Sequence, residues 1–253
     1  SNYAVRPKNG RKDKKVICSF INANIEKILS LEPDLVIGYS DIQAEIAKKL
    51  IKRGITVWIN NYRNINGIKI MINQLGLLVG KQNISIKLTN QIDKEIKIIK
   101  DNSSKLPFKP KVYFEEWFDP IISSIKWVSE IIEVCGGENF CNSINAGSLA
   151  KDRIISNDSE IISFNPDIIL VSWCGKKFRK EKMISRKKWN LICAVKNNEI
   201  HEIERPGNPT SRLQLPKDGP CPWAGRARAG AAQAFALLKQ SLEDETKNAE
   251  KNI

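Results

Sequence analysis

A ten-residue pattern occurs twice in this 253-residue chain and constrains its fold more than any other feature. Residues 28–37 and 161–170 both read as two apolar residues, Ser-x-x-Pro-Asp and three further apolar residues, in register and without gaps. Each copy predicts the end of an amphipathic helix, a Pro-Asp turn and a strand. Because the strand has no polar alternation, we expect it to be covered on both faces, as in parallel sheets. Two α/β lobes with mostly parallel sheets follow from the repeat.

The residues around each copy extend the α/β pattern. A helix is predicted over 41–52 and a strand over 55–59. In the second half, a strand is predicted over 112–115, and Asp119-Pro120 is typical of a helix start, so we expect a helix from there to Gly136-Gly137. Trp58 and Trp127 lie within these regular elements and are expected in the core.

Apolar residues between the two lobes follow a helical period from residue 81 to residue 100. They are Ile84, Leu88, Ile92, Ile96 and Ile99. We interpret the segment as a connector helix, the alternative being a crossover helix within one lobe. The predicted organisation is an N-terminal lobe over 1–80, the connector over 81–104, a C-terminal lobe over 105–240 and a frayed tail over 241–253.

The composition of the chain argues against several classes of function. The single histidine, His201, excludes a His-rich zinc site, and its place in an apolar–polar alternation predicts an outward-facing strand residue. No nucleophile–base or acid pair is evident from motif spacing, so we expect no enzyme, although an active site between the lobes stays open. The formal charge of +13 leaves a nucleic-acid binder as a lesser alternative. Basic clusters with interleaved aromatics are not evident, so we expect no nucleic-acid partner.

Four segments of the chain resemble one family. Residues 1–7, 24–37, 132–140 and 165–170 are similar, in order and spacing, to motifs of the helical-backbone solute-binding proteins of ABC importers. Members of that family bind cobalamin, siderophores or haem, and the sequence of these segments is most similar to the cobalamin-binding branch. The resemblance covers residues 1 to about 204 and implies two lobes with a ligand cleft between them. The family begins with a further strand and helix, so the N-terminal lobe is expected to be incomplete.

Candidate ligand-binding residues come from two arguments. Ligands of open α/β sheets bind beyond the carboxyl ends of strands, which selects Tyr39, Trp117 and Trp173. The resemblance adds the cleft positions Tyr3, Arg6 and Phe20. It also places Arg153, beside Asp152, where the cobalamin branch has a cleft tryptophan. Aromatic faces suit a large planar ligand, and the arginines could meet polar groups on its rim.

The resemblance implies two further features. Glu26, and less directly Glu160, correspond to acidic residues that dock onto arginines of the membrane permease. Cys135 corresponds to a cysteine that pairs with one near the C-terminus, which here is Cys221.

Together these observations predict a solute-binding protein that captures cobalamin or a related corrinoid and delivers it to an ABC importer. The alternative within the same fold is an iron-siderophore or haem carrier. We expect a monomer with no metal site and no cofactor apart from the corrinoid ligand. Its expected location is periplasmic, or extracytoplasmic on a lipid anchor.

Overall fold

The computed structural model describes residues 13–19, 21–142, 149–173 and 177–203. Within these ranges the chain forms two compact units, one ending at Tyr62 and the other beginning at Arg63.

The first unit holds two parallel strands and short helices. The bounds are α1 Ile25–Leu29, β1 Val36–Tyr39, α2 Ala44–Ile51 and β2 Val57–Asn60, with a 3₁₀ turn at Asp41–Gln43 before α2. Helix α1 begins at Asn24, whose Oδ1 accepts a hydrogen bond from the Lys27 N–H at 2.9 Å. Strands β1 and β2 run in register from Val36 beside Val57 to Tyr39 beside Asn60.

The second unit begins with two long helices and continues as an α/β layer. Its helices are α3 Ile65–Leu78, α4 Gln82–Ser103, α5 Lys126–Val134, α6 Ser159–Phe164, α7 Lys180–Ile184 and α8 Cys193–Lys196. Its strands are β3 Lys111–Trp117, β4 Ile122–Ser123, β5 Glu138–Asn139, β6 Ile168–Val171 and β7 Ile200–Glu202, and 3₁₀ turns lie at Phe140–Asn142, Ala150–Arg153 and Trp189–Leu191.

Strand β3 is central to the second sheet. It pairs in parallel with β6, which in turn pairs in parallel with β7. On its other side β3 pairs in parallel with β5 at its start and antiparallel with β4 at its end. One face of the sheet packs on a large apolar cluster that includes Tyr113, Ile169 and Trp189, and the other packs on α5 through Val128 and Ile132. The predicted α/β class with mostly parallel sheets is confirmed.

The repeat also holds at the level of backbone angles. In each copy a helix is followed by a residue in the left-handed region and then by a strand: Glu32 has φ 46° and Asn165 has φ 50°. These two residues occupy the same register position of the repeat. Both copies thus place a left-handed residue other than glycine between helix and strand, three residues after the helix in the first copy and directly after it in the second.

Three expectations about packing are wrong. Strand β1 is not covered on both faces, since its alternate residues Ile37 and Tyr39, which share one face, are exposed. No helix starts at Asp119-Pro120: Ile122–Ser123 pairs with β3 instead, so α5 begins only at Lys126. Trp127 is exposed on α5 and does not lie in the core.

The long helix is present at Gln82–Ser103, but its buried face differs from the predicted apolar stripe. Ile84 is exposed, whereas Ser85, Thr89 and Ile99 are buried. Helix α4 packs against α3 along its first half, and Ser103 Oγ donates a hydrogen bond to the Val134 carbonyl of α5 at 2.8 Å. Across the ranges that the structure describes, no helix is both long and apolar enough to cross a lipid bilayer.

Candidate ligand-binding site

The carboxyl end of β1 carries an exposed tyrosine. Tyr39 is the last residue of the strand and its side chain is 40% exposed. Its N–H donates to Gln43 Oε1 at 2.8 Å, and its hydroxyl donates to the Tyr62 carbonyl at 3.4 Å. The ring is thus held at the strand end with part of its surface open to solvent, as a ligand-contacting residue requires.

The carboxyl end of β3 carries two adjacent glutamates, and each pairs with an arginine on its own face of the sheet. Successive strand residues point to opposite faces, so Glu115 and Glu116 diverge. Glu115 accepts from Arg186, with 2.6 Å between Nη1 and Oε2 and 3.1 Å between Nη2 and Oε1. Glu116 accepts from both terminal nitrogens of Arg153.

The Glu115 pair is the most buried charged group in this region. Glu115 is fully buried, and it also accepts from the Tyr113 hydroxyl and from Trp173 Nε1, each at 3.0 Å. The Arg186 guanidinium lies 4.5 Å from the ring centroids of both Phe118 and Trp189. Such stacking suits a guanidinium that has little contact with water.

Burial is the largest influence on the pKa values of Glu115 and Tyr113. Desolvation raises the pKa of Glu115, while the hydrogen bonds and charge of Arg186 oppose that rise. Desolvation and the neighbouring Glu115 also raise the pKa of Tyr113 well above its ordinary value. The tyrosine is therefore a neutral donor, and the hydrogen bonds from Arg186, Trp173 and Tyr113 favour the charged form of the glutamate.

Arg153 lies on the opposite face and is 5% exposed. Besides Glu116, it donates from Nη1 to the Ser123 carbonyl of β4 at 2.5 Å. Among the described residues its Nε has no hydrogen-bond partner. The guanidinium thus ties β3 to β4, and contact with a ligand would require it to leave Glu116.

The two predicted tryptophans of this unit differ in exposure. Trp117, at the end of β3, is half-buried and donates from Nε1 to the Asp119 carbonyl at 2.8 Å. Trp173, after β6, is 7% exposed and packs against Phe118 and Phe178, with centroid distances of 5.0 and 5.1 Å. Trp117 leaves part of its ring exposed at the strand end, whereas Trp173 is packed into the core behind the strand ends.

The remaining predicted residues divide into two groups. Tyr3, Arg6 and Phe20 lie outside the described residues, so their roles stay predictions. Glu26 is exposed on α1, where its Oε1 lies 3.1 Å from Nη2 of Arg53, and Glu160 is exposed in the first turn of α6. No structural observation tests these docking assignments.

The cysteine and histidine predictions can be placed on the structure. Cys135 is a buried free thiol whose pKa is raised to about 12 by burial, and Cys221 lies outside the described residues. The predicted bridge between them stays a prediction.

His201 is not outward-facing as expected: it is partly buried on β7, and its Nε2 donates to Glu199 Oε2 at 3.1 Å. In the described part of the chain no cluster of three or more His, Cys, Asp or Glu residues could hold a metal ion.

Sequence reasoning missed Glu115, Glu116 and Arg186. A signal was present for the first two, because paired acidic residues at the end of an otherwise apolar strand must find cationic partners if buried. Arg186 lies in the basic run 176–188, which is typical of a solvated surface. Only the fold brings it to Glu115, 71 residues away.

Comparison with known proteins supplies the family. A model of the periplasmic binding protein family matches residues 1–206. The chain belongs to this family. A relative of this periplasmic binding protein is the high-affinity heme uptake system protein IsdE of Staphylococcus aureus, 24% identical over 214 residues that cover 81% of this chain and 70% of the relative.

Solved structures agree on the fold. An ABC transporter substrate-binding protein from Listeria monocytogenes superposes with a TM-score of 0.68 at 20% identity, covering 95% of this chain and 88% of that one. IsdE complexed with heme gives the same TM-score, identity and coverage. The vitamin B12 binding protein BtuF of Vibrio cholerae gives 0.61 at 16% identity, covering 94% and 84%. The suspected family is therefore confirmed, and this periplasmic binding protein has the fold of ABC-importer substrate-binding proteins.

Proposed function

We propose that the chain captures cobalamin or a related corrinoid in the predicted inter-lobe cleft and delivers it to an ABC importer. The observation that carries the carrier function is the family match across residues 1–206. A carrier of this family acts outside the cytoplasm and performs no chemistry on its ligand, which agrees with the expectation that the chain is not an enzyme.

The choice of a corrinoid is supported by the strand-end aromatics and by the burial of the single histidine and of Met183, two side chains of types that hold haem iron. Tyr39 and Trp117 offer partly open rings at the carboxyl ends of β1 and β3. Haem iron in proteins is held by His, Cys, Met or Tyr side chains. His201 is partly buried against Glu199, and Met183 is fully buried. Neither can reach an external iron without repacking.

Haem is the second candidate, favoured by a different observation. A relative of the chain is named a heme uptake protein, and the fold superposes on that protein in its heme complex with a TM-score of 0.68, compared with 0.61 for the vitamin B12 binding protein. A tyrosine would then be the iron ligand available at a strand end, namely Tyr39. An iron-siderophore is the third ligand class, with Arg6 and Arg153 as candidate cationic contacts for its anionic groups.

Isothermal titration of the full chain with cyanocobalamin, haemin and a ferric siderophore tests the proposal. Saturable 1:1 binding of the corrinoid alone is expected. Tyr39→Ala and Trp117→Ala should each weaken it by about 3- to 10-fold, as a lost ring contact implies. Trp127→Ala is the matched control, since that ring is exposed on α5 and is not one of the strand-end aromatics. Binding of haemin alone, with an absorption change abolished in Tyr39→Phe, would replace the corrinoid.

Delivery to a permease is tested at Glu26. Its carboxylate already pairs with Arg53, so docking onto permease arginines would exchange one guanidinium for another. Glu26→Lys is expected to slow ligand import several-fold while leaving the dissociation constant unchanged. Glu45→Lys, an equal charge change at an exposed residue of α2, serves as control. Equal import by the two variants would refute the docking role of Glu26.

A further inference from the structure

The turn between α3 and α4 exposes a continuous set of large apolar side chains. Leu77, Leu78, Val79 and Ile84 are 58 to 66% exposed, more than any other large apolar residue of the second unit that the structure describes. Singly exposed leucines are common on protein surfaces. Two leucines and a valine in consecutive positions at a turn, with an isoleucine in the first turn of the next helix, are typical of an interaction site.

A well-formed helix cap fixes this turn. The Gly80 N–H donates to the Leu77 carbonyl at 3.2 Å, and the Lys81 N–H donates to the Gly76 carbonyl at 2.6 Å. Gly80 has φ 66°, so the turn is a Schellman motif with glycine at its left-handed position. The motif commonly brings together apolar residues on its two sides, but here those positions are Lys81 and Gly76. The leucines are therefore not covered by their own turn.

Helices α3 and α4 pack antiparallel through small and polar residues. Ser85 lies against Gly76, Thr89 Oγ1 donates to Asn73 Oδ1 at 3.4 Å, and Lys69 Nζ lies 2.5 Å from Asp93 Oδ1. Because this seam is polar, the apolar side chains at the tip of the hairpin lie outside it. We call Leu77, Leu78, Val79, Lys81 and Ile84 the hairpin tip.

The charged residues of the sequence around the hairpin tip are all basic. Between Glu45 and Asp93 the chain has no acidic residue, and the exposed Lys81 and Lys87 lie beside the apolar side chains. Apolar side chains next to lysines, with no carboxylate in the same stretch of sequence, complement a surface with an apolar interior and an anionic outer layer. A bilayer with anionic headgroups has that composition.

We propose that the hairpin tip inserts its apolar side chains into the headgroup boundary of an anionic lipid bilayer, with Lys81 and Lys87 on the phosphates. The rigid cap presents Leu77 and Leu78 without a folding step, so insertion orders few groups. Such binding would hold the chain at the membrane in which an importer resides. It is independent of the ligand, so it can stand if the corrinoid assignment fails.

Flotation of the full chain with phosphatidylcholine vesicles, with and without phosphatidylglycerol, tests the proposal. The parent chain is expected to float with the mixed vesicles only. Leu77→Ser/Leu78→Ser should lower the bound fraction about tenfold, as loss of two inserted leucines implies. Ile51→Ser/Leu191→Ser, which alters two equally exposed apolar residues elsewhere, is the matched control and should bind like the parent.

Charge variants separate this contact from general attraction of a basic protein. Lys81→Gln/Lys87→Gln should lower binding and flatten its dependence on ionic strength, whereas Lys182→Gln/Lys187→Gln should change it much less. Equal losses in both lysine pairs, or unchanged binding of the leucine variant with its circular dichroism intact, would overturn the proposal. Sedimentation velocity tests the alternative occupant of the hairpin tip, a second copy of the chain. A dimer of the parent chain that is lost in Leu77→Ser/Leu78→Ser, together with no vesicle binding, would assign the tip to that dimer.

Discussion

At the scale of residues, the buried pair Glu115–Arg186 fixes the end of β3. The carboxylate accepts hydrogen bonds from three side chains, and the guanidinium also donates to the Phe118 carbonyl at 2.8 Å. A buried ion pair adds little net stability compared with apolar residues of similar volume, but loss of one partner leaves the other charged and desolvated. The strand end is thus stable only while both residues are present.

Glu115→Gln should therefore destabilise the chain strongly. Removal of the charge leaves Arg186 without its partner carboxylate, and we expect the free energy of unfolding in urea to fall by about 3–5 kcal/mol. Asp101→Asn breaks the exposed Lys97–Asp101 pair of α4 and should cost less than about 0.5 kcal/mol. Similar losses in the two variants would mean that Arg186 finds another partner.

His201 gives the molecule a pH-dependent stability. Burial, and secondarily the charge of Lys180, lower the pKa of His201 below its ordinary value of 6.5. The unfolded chain therefore binds a proton at a higher pH than the folded chain does. Stability should fall as the pH drops below about 6.5, and this loss should be smaller in His201→Gln. Urea unfolding between about pH 7.5 and 5.5 measures the two slopes, and identical slopes would contradict the assignment.

At the scale of elements, the sequence predicts well what neighbouring residues determine and poorly what distant residues determine. The Ser-x-x-Pro-Asp pattern predicted a helix, a turn and a strand in both copies, and all are present. The strand-end rule placed Tyr39 and Trp117 at the ends of β1 and β3. Burial could not be predicted in the same way, because the cover over β1 depends on elements remote in the chain.

The start of α5 shows the same limit. Asp119-Pro120 has the local signature of a helix start, but pairing of Ile122–Ser123 with β3 takes precedence over it. For the candidate site, the partner of Glu115 comes from a basic run whose local pattern indicates a solvated surface. Sequence periodicity carries no information on such a long-range pair.

The α3–α4 hairpin depends on a glycine at its seam. A Cβ at position 76 would overlap Cβ and Oγ of Ser85 and lie 3.2 Å from the Lys81 carbonyl oxygen. Gly76→Ala should thus destabilise the chain by about 1–3 kcal/mol, although alanine favours helices. Ser85→Gly in the same chain removes both clashing atoms and should recover part of the loss.

Thermal and urea unfolding of the single and double variants measure this coupling. Asn90→Ala, at an exposed position in the middle of α4, is the control and should be neutral or slightly stabilising. Additive effects of Gly76→Ala and Ser85→Gly would show that the two positions do not contact each other in solution.

At the scale of the whole molecule, burial is distributed unequally between the two units. The apolar clusters of the described residues all lie between residues 99 and 203, around β3 and β6. In the first unit the buried apolar side chains are few, namely Ile28, Ala47 and Leu50 within its described part. Among the described residues, most of the hydrophobic stabilisation therefore comes from the second unit.

The parallel pair β1–β2 has a consequence for how backbone amides exchange with solvent. A two-stranded sheet with one exposed face opens at a low free energy, whereas β3 and β6 can open only with the core that surrounds them. Amide protons of Val36–Tyr39 should thus exchange with deuterium at least about 100-fold faster than those of Ile168–Val171, although the repeat gives both segments the same local pattern. Mass spectrometry of peptides from the two segments measures the difference. The two copies of one sequence pattern would then keep their amide protons for different times, because different numbers of strands and helices cover them.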